Sequence, residues 1–171
     1  MKSLDEQILL FAASHRSVVL DCFFRAATWL GSLYVLAPAA VLIAILLLKF
    51  HKRWEAALLL IGIGTAALSV HLAKALVGRS RPDLAEPVIA LPSDASMPSA
   101  HTAQVVAFFL CVILIVRRIL PEWQFHTIII AFVVSIIVAI SRVYLQVHFP
   151  SDVLVGAVFG LVWVALIHRL L

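Results

Sequence analysis

The chain has 171 residues, of which 64% are hydrophobic and only 13% are charged, and its mean hydropathy is +1.11. Soluble domains are about 45–50% apolar and about 25% charged, so this composition excludes an ordinary soluble protein and indicates that lipid contacts much of the surface. The length predicts one domain over residues 1–171. The formal net charge of +4 is modest, and we expect no nucleic-acid partner.

The first 25 residues are apolar only in part. The apolar run at residues 8–11 is flanked by Asp5, Glu6, Arg16 and Asp21. This pattern predicts short amphipathic helices that lie in the membrane interface, and a sixth membrane span in this region is the alternative. The early acidic residues also argue against a secretory signal.

Five later segments are long and apolar enough to cross a bilayer, or nearly so, since a span needs about 20 apolar residues in a helix. They cover residues 26–48, 56–73, 102–116, 125–141 and 150–171. The predicted fold is therefore an all-α integral membrane protein, with a bundle of about five transmembrane helices over residues 26–171. Cys22 and Cys111 show no spacing typical of a disulfide framework or a metal site.

The basic residues of the short loops predict the orientation of the bundle, because cytoplasmic loops carry an excess of Lys and Arg. Six of them fall on one side of the predicted spans: Lys49, Lys52, Arg53, Arg117, Arg118 and Arg169. Lys2, Arg16 and Arg25 lie on the other side, so the bias is incomplete. We expect a protein of the cytoplasmic (inner) membrane whose opposite face, with the loop 78–98 and the turn 142–152, points to the periplasm.

Ionisable residues gather at three places on that opposite face, and ionisable residues within or beside membrane spans indicate function. The first place holds Lys74 and the pair Arg81-Pro82 at the end of the second span. Because Pro82 disfavours helix at Arg81, we expect a helix-to-loop transition there. These cations either bind an anionic ligand or extend to lipid headgroups.

The second place is the segment Pro98-Ser99-Ala100-His101 at the start of the third span. Proline suits a first helical turn, serine is a favoured cap, and free backbone N–H groups at such an end bind phosphate oxygens. His101 would then lie beside a bound anion. The alternative is an ordinary helix cap with an incidental histidine.

The third place runs from Ser141-Arg142 to His148 and Asp152. A nucleophilic imidazole needs its far nitrogen held by a carboxylate, and Asp152 is spaced to do this for His148. Arg142 offers a planar fork suited to phosphate. The alternative is a structural His–Asp pair in the interface.

Together the three places supply what phosphoryl transfer requires, namely positioning and charge around the equatorial oxygens. Lys74, Arg81 and Arg142 would neutralise the phosphate, with Ser99 and the amide of Ala100 as further donors. His148 would attack, and His101 would protonate the leaving oxygen. Arg79 either guides anionic headgroups or simply lies in the loop, and we expect Asp83, Glu86 and Asp94 to be solvated loop charges. His71 is expected to be a packed histidine rather than a ligand.

These motifs resemble the type-2 phosphatidic acid phosphatase superfamily: Lys74 with Arg81-Pro82, then Pro98-Ser99-Ala100-His101, then Ser141-Arg142 with His148 and Asp152. The resemblance implies a phosphohistidine at His148, Asp152 as orienter, His101 as acid and then base, and phosphate binding by Lys74, Arg81, Ser99 and Arg142. It also implies no metal and no other cofactor. Ala100 replaces the family's usual glycine, and its N–H still binds phosphate if its φ is negative.

The expected function is hydrolysis of a lipid phosphate or diphosphate that enters from the bilayer, and the resemblance favours undecaprenyl diphosphate. Phosphatidylglycerophosphate, phosphatidic acid and a lipid A phosphate are the alternative substrates. Transfer of the phosphoryl group to a lipid acceptor is a second reading, and an anion-binding or transport protein is a third. No obligatory protein partner is evident from the sequence.

Overall fold

The computed structural model describes residues 2–171, and within these residues it contains helices and no strand. This confirms the predicted all-α class. The helices are α1 (Leu4–Ser14), α2 (Val18–Ala27), α3 (Leu33–Lys49), α4 (Arg53–Val77), α5 (Ala100–Ile119), α6 (Gln124–Tyr144) and α7 (Pro150–Leu170), with short 3-10 helices at Thr28–Gly31 and Pro121–Trp123.

Four helical segments of the described chain are long and apolar enough to span a membrane: α4, α5, α7 and Pro121–Tyr144. A fifth span results if Val18–Gly31 and Leu33–Lys49, which are bent by 44° relative to each other, count as one broken span. The expectation of about five spans is therefore confirmed, and the chain is a multi-pass membrane protein.

The broken span nearest the N-terminus, Val18–Gly31 with Leu33–Lys49, differs from the continuous helix predicted over residues 26–48. The 3-10 turn Thr28–Gly31 interrupts it, and Ser32 starts α3 as its N-cap, where the side chain accepts a hydrogen bond from the Tyr34 N–H at 3.3 Å. Small and polar residues make this break favourable. A Cβ added at Gly31 would lie 3.0 Å from the carbonyl oxygen of His101, so the turn packs directly against α5.

The N-terminal helices α1 and α2 are short and begin at serine caps, Ser3 and Ser17. Helix α1 buries Leu9 completely and leaves Leu4 and Phe11 largely exposed. An apolar exposed surface of this kind fits the predicted interfacial segment. Its boundary at residue 25, and the single-domain organisation, stay predictions.

Helix α5 is the centre of the bundle and packs against α4, α6 and α7. Glycines on α7 allow the closest approach: a Cβ at Gly156 would lie 2.6 Å from the carbonyl oxygen of Ser99, and one at Gly160 would lie 2.5 Å from that of Ala103. Small residues at helix contacts are the usual way for membrane helices to pack closely. The result fixes the start of α5 against the start of α7.

Five helix ends meet at one face of the bundle: the starts of α3, α5 and α7 and the ends of α4 and α6. The loop of residues 78–99 covers this face. Helix α4 ends at Val77, and Gly78 has a φ of 62°, a left-handed conformation that glycine adopts without strain. Arg81 therefore lies in the loop, as Pro82 predicted, and the three sequence clusters converge at this face.

Candidate active site

A cavity of about 570 Å³ opens at this face. Six of the eight predicted site residues line it: Lys74, Arg81, Ala100, His101, Arg142 and His148. The other two, Ser99 and Asp152, are completely buried behind it. The structure thus brings the predicted residues together, with the nucleophile candidate at the cavity wall and its carboxylate partner one layer deeper.

His148 lies in the turn between α6 and α7, and only 2% of its surface is exposed. Its Nε2 is 3.4 Å from Arg81 Nη1, and its Nδ1 is 3.5 Å from Asp152 Oδ2, at the outer limit of a hydrogen bond. Burial lowers the pKa of His148 to about 4, which outweighs the raising effect of Asp152 and is reinforced by the cations of Arg142 and Arg81. The imidazole is therefore neutral at pH 7.

Asp152 lies in the first turn of α7, and both of its oxygens are held. Oδ2 accepts hydrogen bonds from the Phe149 N–H at 2.9 Å and from the Ser96 hydroxyl. Oδ1 accepts a hydrogen bond from Arg79 Nη1 at 2.6 Å. Sequence reasoning missed the contacts of Ser96 and Arg79, because both residues lie in the loop and no spacing rule places them beside Asp152.

Lys74 and Arg81 share one carboxylate, that of Asp94. Lys74 Nζ is 3.1 Å from Asp94 Oδ2, and Arg81 Nη2 donates to Asp94 Oδ1 at 2.5 Å. Burial alone would raise the pKa of Asp94, but hydrogen bonds from Arg81 and Lys74 outweigh it and hold this pKa below its usual range. The prediction of a solvated loop charge at Asp94 is wrong, because the loop folds back over the cavity and carries this carboxylate onto the two cations.

Arg142 lies in the last turn of α6 and is 2% exposed. Its Nη1 donates a hydrogen bond to Thr28 Oγ1 at 2.7 Å. Its Nε has no hydrogen-bond partner among residues 2–171. A buried guanidinium N–H without a partner costs free energy. Because Arg142 lines the cavity, a bound anion could accept this hydrogen bond and remove that cost. The contact with Thr28 depends on the break in the first span and was not predicted.

Ser99 occupies the N-cap position of α5, but its side chain caps no amide in the described structure. The prediction of a serine side-chain cap is therefore wrong. The hydroxyl oxygen accepts a hydrogen bond from Thr102 Oγ1 at 3.1 Å, and the Ser99 N–H donates to the carbonyl oxygen of Asp152 at 3.0 Å. This leaves the first amides of α5 uncapped by that side chain.

Ala100 and His101 form the first turn of α5 and line the cavity. Among residues 2–171, positive φ angles occur at His51, Gln146 and Gly78 only, so the φ of Ala100 is negative. Its N–H keeps the helical orientation, which satisfies the condition set for alanine in place of glycine.

The rim of the cavity is formed on one side by the start of α3 and the end of α4. Leu33 and Tyr34 contribute from α3 and His71 from α4, and 83% of the surface of Tyr34 is exposed. His71 Nδ1 lies 3.8 Å from Asp94 Oδ2, so this histidine faces the cavity instead of packing in the core. The opening thus lies next to an exposed side chain at the start of α3.

Comparison with known proteins identifies the family. The family model described as the PAP2 superfamily matches residues 54–171, which include all three clusters. The chain belongs to the PAP2 superfamily. Phosphatidylglycerophosphatase B of Bacillus subtilis (strain 168) is 36% identical to it over 168 residues, which are 94% of this chain and 80% of that protein. Decaprenylphosphoryl-5-phosphoribose phosphatase of Mycobacterium tuberculosis is 36% identical over 129 residues, which are 71% of this chain and 63% of that protein.

Solved structures give the same family. The crystal structure of a transmembrane PAP2-type phosphatidylglycerolphosphate phosphatase from Bacillus subtilis has a TM-score of 0.88 and 33% identity, and the match covers 97% of this chain and 83% of that one. The crystal structure of Aquifex aeolicus LpxE has a TM-score of 0.78 at 24% identity, covers 98% of this chain and 96% of its own, and shows the shared fold. The resemblance predicted from the motifs is confirmed: this PAP2 chain is a membrane phosphatase.

Proposed function

We propose that this membrane lipid phosphatase of the PAP2 type works by attack of His148 on the phosphorus of a lipid phosphate. The supporting observation is the position of the His148 ring. Its Nδ1 faces Asp152 at 3.5 Å, and its Nε2 lies 3.4 Å from Arg81 Nη1 at the cavity wall. A neutral imidazole held this way carries its proton on Nδ1 and its lone pair on Nε2. That lone pair accepts from Arg81 Nη1 here, and it attacks phosphorus once Arg81 turns to the bound phosphate.

The phosphate of the substrate replaces the carboxylate of Asp94 between Lys74 and Arg81. Two cations that already bind one oxyanion group at 3.1 and 2.5 Å are spaced to bind another. Arg142 and the first-turn amides of α5 supply further donors, and the N-terminus of a helix favours a bound anion. No step of this scheme requires a metal.

The reaction has two steps. In the first, His148 Nε2 forms a bond to phosphorus, the ester P–O bond breaks, and His101 gives a proton to the leaving alcohol. In the second, His101 accepts a proton from water, the hydroxide oxygen bonds to phosphorus, and the P–N bond breaks to release phosphate and neutral His148. Asp152 stabilises the positive ring throughout.

Phosphatidylglycerophosphate is the first substrate to test, because the Bacillus subtilis relative of that name is matched over 94% of this chain. The lean to undecaprenyl diphosphate rests on the family resemblance alone and stays a prediction. We expect the lipid to enter sideways past Tyr34, at the rim between α3 and α4. The distribution of basic residues supports a site on the periplasmic face of the cytoplasmic membrane.

The test is phosphate release by purified protein in detergent with EDTA present. The panel consists of phosphatidylglycerophosphate, undecaprenyl diphosphate, phosphatidic acid and a lipid A phosphate, each with wild type and His148→Ala. We expect EDTA-resistant phosphate release that His148→Ala abolishes. The lipid from which phosphate is released fastest is the preferred substrate of the panel. No release from any lipid by folded wild type would instead support phosphoryl transfer to an acceptor, or anion binding.

A further inference from the structure

A chain of alternating charges links the N-terminal helix α1 to the candidate catalytic pair. Asp5 Oδ2 accepts a hydrogen bond from Arg79 Nη2 at 3.0 Å, and Arg79 Nη1 donates to Asp152 Oδ1 at 2.6 Å. The order is therefore carboxylate, guanidinium, carboxylate and imidazole. The two arms of one planar guanidinium hold two carboxylates, and only Asp152 touches the ring of His148.

Helix α1 also contacts residues on both sides of His148, through the backbone and side chain of Ser151 and the side chain of Gln146. On the C-terminal side, the Ser151 N–H donates to Asp5 Oδ1 at 2.9 Å, and the Ser151 hydroxyl donates to Asp5 Oδ2. On the N-terminal side, Gln146 Nε2 donates to the carbonyl oxygen of Leu9 at 3.1 Å. The turn that carries the nucleophile candidate is thus braced at both ends by one helix.

Arg79 is itself fixed by its surroundings. Its guanidinium carbon lies 4.2 Å from the centre of the Phe149 ring, and its Nη1 also donates to Ser151 Oγ at 2.7 Å. A guanidinium with two hydrogen-bonded carboxylates and an aromatic face is strongly constrained in orientation. The oxygen of Asp152 that it holds cannot rotate without breaking this contact.

We propose that Arg79 and Asp5 are positioning residues for the phosphatase reaction, and that turnover therefore depends on the position of α1 against the turn that carries His148. This rests on the roles proposed above for His148 and Asp152. Arg79 orients Asp152, which orients His148, and Asp5 holds Arg79 from the N-terminal helix. Since α1 leaves Leu4 and Phe11 exposed, the helix that supports the site is also one with an apolar face for the membrane interface.

The charge of Arg79 has a second consequence. It draws part of the negative charge of Asp152 away from the imidazole, so it lowers the proton affinity of His148. Removing the cation raises the pKa of His148 and moves the acidic limb of the pH profile toward neutral pH. The charged and titratable groups that face His148 are Asp152 from α7, Arg142 from α6, His101 from α5, Lys74 from α4, and Arg81 and Asp94 from the loop.

The experiment measures kcat, KM and the pH dependence of kcat/KM for phosphate release from phosphatidylglycerophosphate micelles, or from the fastest lipid of the panel. Arg79→Ala should lower kcat about tenfold with KM nearly unchanged, an effect typical of partners that orient a functional side chain. Its acidic limb should shift toward neutral pH. Arg79→Lys should restore the position of the limb, because it restores the cation, but only part of kcat, because an ammonium lacks the fork.

Asp5→Asn tests the part played by α1, and Glu6→Gln is the matched control. Glu6 is the next residue, has the same charge, and bonds only to Ser3 within the same helix end. Asp5→Asn should lower kcat severalfold and Glu6→Gln should not. Because stability can itself change with pH, the folded fraction of each variant is measured by thermal melting at every pH, and rates are compared per folded molecule.

Two outcomes would overturn the inference. A wild-type kcat and acidic limb in Arg79→Ala would make Arg79 a loop contact only, and equal effects of Asp5→Asn and Glu6→Gln would remove α1 from the account. His148→Ala, assayed alongside, separates these failures from a failure of the proposed function. If His148→Ala is inactive while Arg79→Ala is normal, only the positioning role is wrong; if His148→Ala is active, the nucleophile is wrong.

Discussion

The two ends of the bundle treat charge in opposite ways. At the cavity end, Lys74 and Arg142 are each 2% exposed and Asp152 is completely buried. At the other end, Arg118 pairs with Glu55 at 3.2 Å and lies 4.5 Å from the Trp54 ring centre; the Arg118 side chain is 58% exposed, and only that of Glu55 is buried, at 6%. Buried charges are costly to desolvate, whereas an exposed pair contributes only about 0–1 kcal/mol.

We propose that this difference separates charges that take part in the phosphatase reaction from charges that set the orientation in the membrane. The cavity end keeps its cations out of water and next to His148, where they interact strongly with a phosphate. The opposite end leaves Arg118 at the surface, where the predicted orientation would place it on the cytoplasmic side. Substitutions at the two ends should therefore differ in kind.

The largest effect is expected at the buried carboxylate of the cavity end. Asp152→Asn keeps the shape of the side chain but removes the charge that orients and stabilises the His148 ring. We expect kcat to fall by about 10²–10⁴-fold, by analogy with the orienting aspartate of the serine protease triad. Tm should fall as well, because Arg79 loses a buried charged partner, but the folded protein should still be inactive. Steady-state phosphate release in detergent and thermal melting measure the two quantities.

Cys111→Ala is the control for this substitution, because Cys111 is equally buried but lies away from the cavity, on α5. It should keep kcat nearly intact. Similar activity losses in the two variants, together with similar losses of Tm, would indicate destabilisation and argue against a catalytic role for Asp152.

A smaller effect is expected where α7 packs against the start of α5. Gly156→Ala places a Cβ 2.6 Å from the carbonyl oxygen of Ser99, and overpacking of this kind costs about 1–3 kcal/mol. Helices α5 and α7 must separate, which moves His101 away from His148, so both Tm and kcat should fall. Melting and turnover of the purified variant give both values.

Gly64→Ala is the matched control for this packing. A Cβ there meets no described atom within 4 Å, and alanine in a helix interior is favoured over glycine by about 0.5–1 kcal/mol. Tm should stay constant or rise and kcat should not change. A loss of Tm in Gly64→Ala as large as that in Gly156→Ala would contradict the assigned packing.

Removal of the Asp94 carboxylate should strengthen substrate binding. Asp94→Asn takes away the anion that competes with phosphate for Lys74 and Arg81, so KM should fall about two- to fivefold, the range for a partly exposed ion pair. Asp83→Asn, exposed in the same loop, is the control and should leave KM unchanged. A higher KM in Asp94→Asn would mean that Asp94 organises the cations rather than competing for them.

The smallest effect is expected at the opposite end. Arg118→Gln removes the cation that pairs with Glu55, whose side chain is only 6% exposed, and it lies far from the cavity along α5. A buried carboxylate that loses its charged partner costs more than an exposed pair, so we expect a loss of Tm with kcat and KM like wild type. A tenfold loss of kcat would show that the two ends are coupled and that charge at the end opposite the cavity also affects the reaction.

The sequence predicted the site largely because its residues lie at helix ends with characteristic spacings. Lys74, His101 and Arg142 are carried by helices whose ends must meet at one membrane face, so their convergence follows from the topology. Arg79, Ser96 and Asp94 were missed or misjudged because they depend on the path of the 78–99 loop, which no periodicity determines. The break at Thr28–Gly31 was not predicted, because the residues around it form one uninterrupted apolar run that is typical of a continuous membrane helix.

The central claim, that His148 carries the phosphoryl group, is tested most directly by trapping the intermediate. Wild-type protein is mixed with a substrate lipid whose terminal phosphate is radiolabelled, quenched in alkali to preserve a phosphohistidine, and mapped by mass spectrometry. We expect label on His148 in wild type and none in His148→Ala. Label on another residue, or turnover in His148→Ala equal to wild type, would contradict it.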